Sequence, residues 1–260
     1  MSAFAACEKL VRRHDPDRFF AALFAPADKR HFLCALYAFN YEVARVAETI
    51  HEPMLGEIRL AWWRETVEGA RYGAPRNHDV AKALAETFAT NDLPQDLFEK
   101  MIEARGFDVS PQSFADMAAL EAYADATSGS LMRLAALVLG GGSDDLAREA
   151  GIAYALSGLL RAIPFHTARD KLYLPTELLD GLTPDDVAAG RGEEKLENAK
   201  MKVARLAKSH LASARLLASP RAALPAFLPA ALVPLYLRRP DAPLWRRQIV
   251  FLHAAMRGRV

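Results

Sequence analysis

The sequence contains few of the residues that build disulfides, β-sheets or membrane spans. Its two cysteines, Cys7 and Cys34, stand in neither a CxxC nor a CxxxC pattern, so neither a disulfide framework nor a thiolate metal site is expected. Isoleucine, threonine and valine together supply only 26 of 260 residues, a composition that disfavours a large β-sheet. No run reaches the roughly 18 to 20 uninterrupted apolar residues that a membrane-spanning helix requires.

The longest apolar stretch, residues 224–237, is interrupted by Pro225, Pro229 and Pro234. Proline removes a backbone donor and breaks helix interiors, so this stretch is not an ordinary membrane span. The N-terminus also lacks the pattern of a signal peptide. The expected location is therefore the bacterial cytoplasm, with peripheral attachment to the inner membrane as an option, or the matrix side of the mitochondrion in a eukaryote.

The chain as a whole has almost no excess of one sign of charge, but its C-terminal segment does. The 33 basic and 32 acidic residues give a net charge of +1, which indicates no nucleic-acid partner. Beyond Tyr236, six arginines are accompanied by one acid, Asp241, whereas the first 237 residues carry a net charge of −4. One hypothesis is a peripheral contact of residues 224–259 with an anionic membrane. The alternative is a solvated C-terminal helix.

What the sequence does contain is helical periodicity. Apolar residues recur at three- and four-residue spacing in most of the chain, which predicts amphipathic helices over about 27–51, 54–72, 78–89, 94–106, 114–139, 143–165 and 193–217. Residues 167–192 lose this period and are expected to form an ordered loop with short turns. No flexible linker or repeat separates the helices. We therefore expect an all-α protein with a single domain over residues 1–260.

Five segments occur in the order and spacing of a known family. They are ALYAF at 35–39, LAWWRE at 60–65, YADATSG at 123–129, GIAYALSGLLR at 151–161 and YLPTELL at 173–179. Together they resemble the squalene and phytoene synthase family over roughly residues 13–179. The resemblance implies an isoprenoid (terpenoid) synthase fold, with helices around a central cavity that takes a prenyl diphosphate.

In that family, two acidic motifs on facing helices carry the chemistry. Ionisation of a prenyl diphosphate requires Mg²⁺ ions that bridge phosphate oxygens to carboxylates on one helix face. Aligned on Tyr37, the first motif falls on residues 44–48, where only Glu48 is acidic. Aligned on Arg161, the second falls on residues 162–166, which include no acid and end at His166. One carboxylate does not organise such a metal cluster, so neither a resident metal nor a catalytic residue is assigned.

The residues around the former motifs are candidates for binding a ligand. Arg45, Arg161 and His166 would bring positive charge or hydrogen-bond donors toward the former diphosphate site, and an arginine binds phosphate without a metal. The resemblance places tyrosines nearby. The full candidate set is Tyr37, Tyr41, Arg45, Glu48, Tyr123, Arg161 and His166. The competing interpretation is that the arginines pair with Glu42, Glu48 or other helix carboxylates and only stabilise the core.

With its acidic motifs missing, the chain resembles the branch of the family that includes a mitochondrial complex I assembly factor. This resemblance implies a catalytically degenerate protein without a cofactor, which binds an isoprenoid, another lipid or a partner during respiratory-complex assembly. Two alternatives remain open. One is an active farnesyl or geranylgeranyl diphosphate transferase that still recruits Mg²⁺ through Glu48 and other, unrecognised acids. The other is a metal-free carrier of an isoprenoid diphosphate, held by Arg45 and Arg161.

Overall fold

The structure is a computed structural model that describes residues 2–50, 52–110 and 112–260. Over these ranges the chain is helical and contains no strand, which confirms the predicted all-α class. The N-terminal part consists of α1 (Ala3–His14), α2 (Pro16–Ala22), α3 (Ala27–Ala44), α4 (Val46–Thr49), α5 (Pro53–Arg71), α6 (Asp79–Thr90) and α7 (Gln95–Val109).

The C-terminal part begins with a long helical region that contains one π-helical turn. In order, the elements are α8 (Met117–Ala124), the π turn (Asp125–Gly129), α9 (Ser130–Val138), α10 (Asp144–Arg161), α11 (Ile163–Thr167), α12 (Thr176–Leu179), α13 (Pro184–Ala188), α14 (Glu193–Leu216), α15 (Leu224–Phe227), a 3₁₀ segment (Leu228–Leu232), α16 (Val233–Tyr236) and α17 (Leu244–Arg257). Their buried side chains form one continuous core together with those of the N-terminal helices.

The structure differs from the predicted helices at several places. The helix predicted over 143–165 ends at Arg161 and is followed by the short α11, and α12 and α13 form within the predicted loop 167–192. The helix predicted over 27–51 ends at Ala44 and is followed by the short α4, while His51 lies outside the described residues. The helix predicted over 114–139 is divided by the π turn into α8 and α9. The predicted helices begin at about residue 27, whereas α1 and α2 form before it and α1 packs against α3 and α6.

Helix α10 forms where the sequence predicts it and organises the C-terminal part of the core. Gly140 and Gly141 adopt positive φ after α9, which ends that helix. The Ser143 hydroxyl then accepts a hydrogen bond from the Leu146 amide at 3.3 Å, and Asp144 and Asp145 occupy the first turn. On one side α10 packs against α14, and on another it packs against the π turn. This position carries the second former motif, residues 162–166, toward the end of α3.

The proline-interrupted stretch is part of the core. Residues 224–233 are buried; they run through α15 and the 3₁₀ segment to the start of α16. The expectation that this part of 224–259 touches a membrane is therefore wrong. Proline at the first turn of each short helix is compatible with the absent amide, which allows three short helices to follow one another. None of the described helices combines the length and apolar character needed to cross a bilayer.

Candidate functional site

The two former motifs meet at a cavity of about 220 Å³. Ala44, Ala47 and Glu48 approach it from the end of α3 and from α4, and Phe165 and His166 approach it from α11. The C-terminal end of α7 and the segment before α12 complete its wall. Residues from both aligned motif positions therefore line one cavity, and this cavity is the candidate site.

A buried polar cluster forms one wall of the cavity. Asp108 on α7 is 5% exposed and accepts a hydrogen bond from the Tyr123 hydroxyl at 2.8 Å. Arg105, one turn earlier on α7, contacts the Asp108 carboxylate at 3.0 Å and the Tyr123 oxygen at 2.7 Å. Burial raises the pKa of Tyr123 well above its ordinary value, so the hydroxyl stays protonated and donates to the carboxylate.

Aromatic rings fill the space beside this cluster. Phe107 and Phe114 stack with their centroids 3.9 Å apart, and the rings of Tyr123 and Tyr173 pack around them. His166 lies against Tyr173, with the ring centroids 4.5 Å apart. Its Nδ1 atom is buried and has no hydrogen-bond partner among the described residues. Burial lowers the pKa of His166 to about 4, so the imidazole is neutral at pH 7.

The cations at the cavity come from residues outside the predicted set. Arg169 lies over the ring of Phe165, with its guanidinium carbon 3.7 Å from the ring centroid. The Lys171 ammonium donates a hydrogen bond to the carbonyl oxygen of Ser110. Burial lowers the pKa of Lys171 below its ordinary value. Together with Arg105, these residues bring positive charge to a cavity that contains only two carboxylates, those of Glu48 and Asp108.

This set of donors does not fit the magnesium cluster of the family. Of the ten residues at the two former motifs, Glu48 is the one carboxylate. The other carboxylate at the cavity, Asp108, is already hydrogen-bonded to Tyr123 and paired with Arg105. Across the described ranges, no group of three or more His, Cys, Asp or Glu side chains converges in a way that could hold a metal ion. Mg²⁺ favours several oxygen ligands in octahedral geometry, which these residues do not provide.

Glu48, Tyr123 and His166 are the three members of the predicted set that line the cavity. Arg45 instead contacts Glu42 at 3.5 Å, as the competing interpretation expects, and lies over the ring of Tyr41. Tyr41 also stacks on His14, with centroids 4.5 Å apart. Tyr37 is fully buried in α3, away from the cavity lining, and its hydroxyl has no partner among the described residues.

Arg161 belongs to a second polar cluster, centred on Asp17. The buried Asp17 carboxylate accepts hydrogen bonds from Arg247 at 2.6 Å, from Tyr154 at 3.2 Å and from Tyr236. Arg161 lies 3.9 Å from Asp17, with its guanidinium carbon 4.1 Å from the centroid of the Tyr236 ring. It faces an open groove of about 710 Å³ that is lined by the ends of α10 and α16 and by α11, α13 and α14, rather than the cavity at Glu48.

The residues missed by sequence reasoning are Arg105, Asp108, Arg169, Lys171 and Tyr173. Tyr173 starts the YLPTELL segment, which is a signal that could have identified it. Arg105 and Asp108 have the three-residue spacing of neighbours on one helix face, but many surface pairs share this spacing. Only the packing of α7 against the π-helical region shows that this pair is buried at the site.

The fold and the paired motif positions define an all-α protein of the isoprenoid synthase class. The squalene/phytoene synthase family model matches residues 11–244, and the chain belongs to this family. A human protein named "NADH dehydrogenase (ubiquinone) complex I, assembly factor 6" is 30% identical over 229 residues, which cover 85% of this chain and 69% of that protein. A phytoene synthase of Thermus thermophilus is 30% identical over 189 residues, covering 70% of this chain and 63% of that protein.

A solved structure has the same fold. The squalene synthase of Alicyclobacillus acidocaldarius superposes with a TM-score of 0.73 at 21% identity, covering 98% of this chain and 94% of that chain. This similarity confirms the predicted isoprenoid synthase fold.

Proposed function

We propose that this protein is a catalytically degenerate member of its family that acts in the assembly of a respiratory complex by binding a partner protein or a lipid. The observation that carries the proposal is the donor set at the two former motifs. Where the family chemistry needs carboxylates on two facing helices, this chain has Glu48 on one side and none on the other. The relatives named as complex I assembly factors support the direction of the proposal.

The lining of the cavity also supports the proposal. The cavity at Glu48 has about 220 Å³, and the rings of Phe107, Phe114 and Tyr173 lie at or next to it. The buried cluster of Arg105, Asp108 and Tyr123 satisfies its own hydrogen bonds, which makes it a stabilising element of the wall.

The first experiment separates this proposal from the two ligand-based alternatives. Farnesyl diphosphate is titrated calorimetrically into the protein with and without Mg²⁺, and released pyrophosphate is measured, with an active phytoene synthase as the positive control. We expect no pyrophosphate. Mg²⁺-dependent binding with pyrophosphate release would establish the transferase and overturn the proposal. Metal-independent binding of farnesyl diphosphate without release of pyrophosphate would establish the diphosphate carrier instead.

The second experiment tests the assembly role in the source organism. We expect that deletion of the gene lowers the amount of an assembled respiratory complex, measured by native gel electrophoresis and by NADH oxidation in membranes. Complementation with Glu48→Gln should restore assembly as well as the parent gene does, because no metal-dependent step relies on this carboxylate. A deletion strain with normal complexes would overturn the proposal. Loss of complementation by the folded Glu48→Gln protein would contradict the degenerate site.

A further inference from the structure

Helix α17 presents a continuous apolar stripe to solvent. Trp245, Ile249, Leu252 and Met256 are 55%, 56%, 54% and 83% exposed, respectively. Their spacing of four, three and four residues places them within about 60° of one another around a helix of 3.6 residues per turn. The stripe is therefore one narrow face of the helix and not a set of scattered surface residues.

The opposite face of α17 packs against the rest of the fold. Phe251 and Ala254 are buried, and the helix packs against α2 and the 3₁₀ segment. Arg247 on this face donates to the Asp17 carboxylate at 2.6 Å. Because the inner face is held by packing and by this ion pair, the exposed stripe is a second apolar face that no described residue covers.

Positive charge lines one side of the stripe. Helical geometry places Arg246, His253 and Arg257 between the stripe and the buried face, on the same side of α17. Next to them lies a pocket of about 320 Å³ lined by four basic side chains, those of Arg215, His253, Arg257 and Arg259. Of the six arginines beyond Tyr236, Arg247 is the one within ion-pair distance of a carboxylate among the described residues.

From these features we infer that α17 is a membrane-docking helix that lies in the plane of an anionic bilayer. An amphipathic helix of this kind inserts its apolar face at the boundary between headgroups and acyl chains, while its basic residues contact lipid phosphates. Trp245 is of the residue type enriched at this boundary, and Arg246 stacks on its ring at 5.0 Å. This inference does not depend on the proposed function, since it rests on the exposed face of α17 and the basic residues beside it.

The test measures binding of the full chain to vesicles by flotation. Vesicles of phosphatidylcholine alone are compared with vesicles that also contain phosphatidylglycerol. We expect binding to the anionic vesicles only, weakening as salt shortens the Debye length from about 10 Å at 0.1 M to about 3 Å at 1 M. Arg257→Gln and Arg259→Gln should each weaken binding about fivefold, as expected for a basic residue near an anionic surface.

A matched pair of variants tests the apolar stripe. Met256→Glu on α17 should weaken vesicle binding at least tenfold, whereas Met54→Glu on α5 should not change it. The two methionines are 83% and 75% exposed, so neither substitution removes a buried contact. Unchanged thermal melting of both variants checks that they fold. Binding of Met256→Glu equal to that of the parent would overturn the inference.

Tryptophan emission gives a second measurement. Trp62 and Trp63 lie on α5, with Trp63 fully buried, so Trp245 is the tryptophan that the bilayer would reach. We expect a blue shift on addition of anionic vesicles that is absent in Trp245→Phe. Equal binding to neutral and anionic vesicles, or no binding to either, would overturn the inference. So would a dimer in solution that Met256→Glu dissociates while vesicle binding is absent, because the stripe would then serve a second copy of this chain.

Discussion

Gly151 on α10 lies directly against Gly129 in the π turn. A Cβ atom placed on Gly151 would stand 2.5 Å from the Gly129 Cα and 2.6 Å from its nitrogen. These are backbone atoms, so no side chain can rotate away to make room. The contact sets the distance between α10 and the helical region that carries Tyr123, and so it positions two walls of the cavity.

This contact predicts opposite effects for two alanine substitutions in the same helix. Gly151→Ala should lower the free energy of unfolding by about 1 to 3 kcal/mol, because it overpacks a backbone contact. Gly158→Ala has nothing within 4 Å of the new Cβ and should raise the free energy of unfolding by up to about 1 kcal/mol through helix propensity. Urea denaturation of both variants measures the difference. If both substitutions changed the free energy of unfolding by the same amount in the same direction, the close approach of Gly151 to Gly129 would be contradicted.

The Asp17 cluster predicts a large cost for removing one carboxylate. Asp17→Ala leaves Arg247 and the hydroxyls of Tyr154 and Tyr236 without their shared acceptor, which should lower the free energy of unfolding by about 3 to 5 kcal/mol. Glu65→Ala is the control, because its pair with Arg76 is largely exposed and should contribute less than about 1 kcal/mol. Denaturant titration reports both values. A cost for Asp17→Ala no greater than that of the control would contradict the cluster.

His166 predicts a loss of stability in acid. Burial lowers its pKa in the folded state to about 4, from 6.5 for an unperturbed histidine. Below pH 6.5 the unfolded chain therefore binds a proton that the folded chain does not, and stability falls until the pH reaches about 4. Nearby Arg169 and Arg105 also lower this pKa, and Asp108 opposes them.

The measurement compares the parent with His166→Gln between pH 7 and pH 4. The parent should lose about 2 kcal/mol more than the variant over this window, given about 1.4 kcal/mol per pKa unit and a half-buried imidazole. Because both proteins contain the same carboxylates and the same remaining histidines, the contributions of those groups to the pH dependence of stability cancel in the comparison. Parallel pH profiles would show that His166 titrates normally in the folded protein.

The two cysteines should be inert in the folded protein. Burial raises the pKa of Cys7 and of Cys34 to about 12, and both side chains are inaccessible. Because the thiolate is the reactive form, we expect no alkylation by iodoacetamide at about pH 8 in native buffer. Rapid alkylation of both cysteines in denaturant serves as the positive control, measured by mass spectrometry. Comparable rates in the two conditions would refute the buried assignment.

The side on which a predicted residue lies depends on the helix that carries it. Leu159 lines the cavity, but Arg161 is two residues later, about 200° around α10, and therefore faces Asp17. At the end of α3 and on α4, Ala44, Ala47 and Glu48 line the cavity. Arg45 follows Ala44 by one residue, so it faces Glu42 and Tyr41 instead. The alignment selected two segments that both reach the cavity, whereas helix phase determined which of their side chains line it.

The sequence by itself determined the helical class, the family and the fact that Glu48 is the one carboxylate at the two aligned motif positions. These properties are local, because periodicity, capping residues and the identity of residues at fixed spacings can be read along the chain. Only the tertiary structure decided that Asp108, Lys171 and Tyr173 join the cavity and that residues 224–233 are core while α17 carries the exposed stripe. Burial and contact between distant segments depend on how helices pack against one another, and an apolar stretch has the same pattern whether a neighbouring helix covers it or leaves it in solvent.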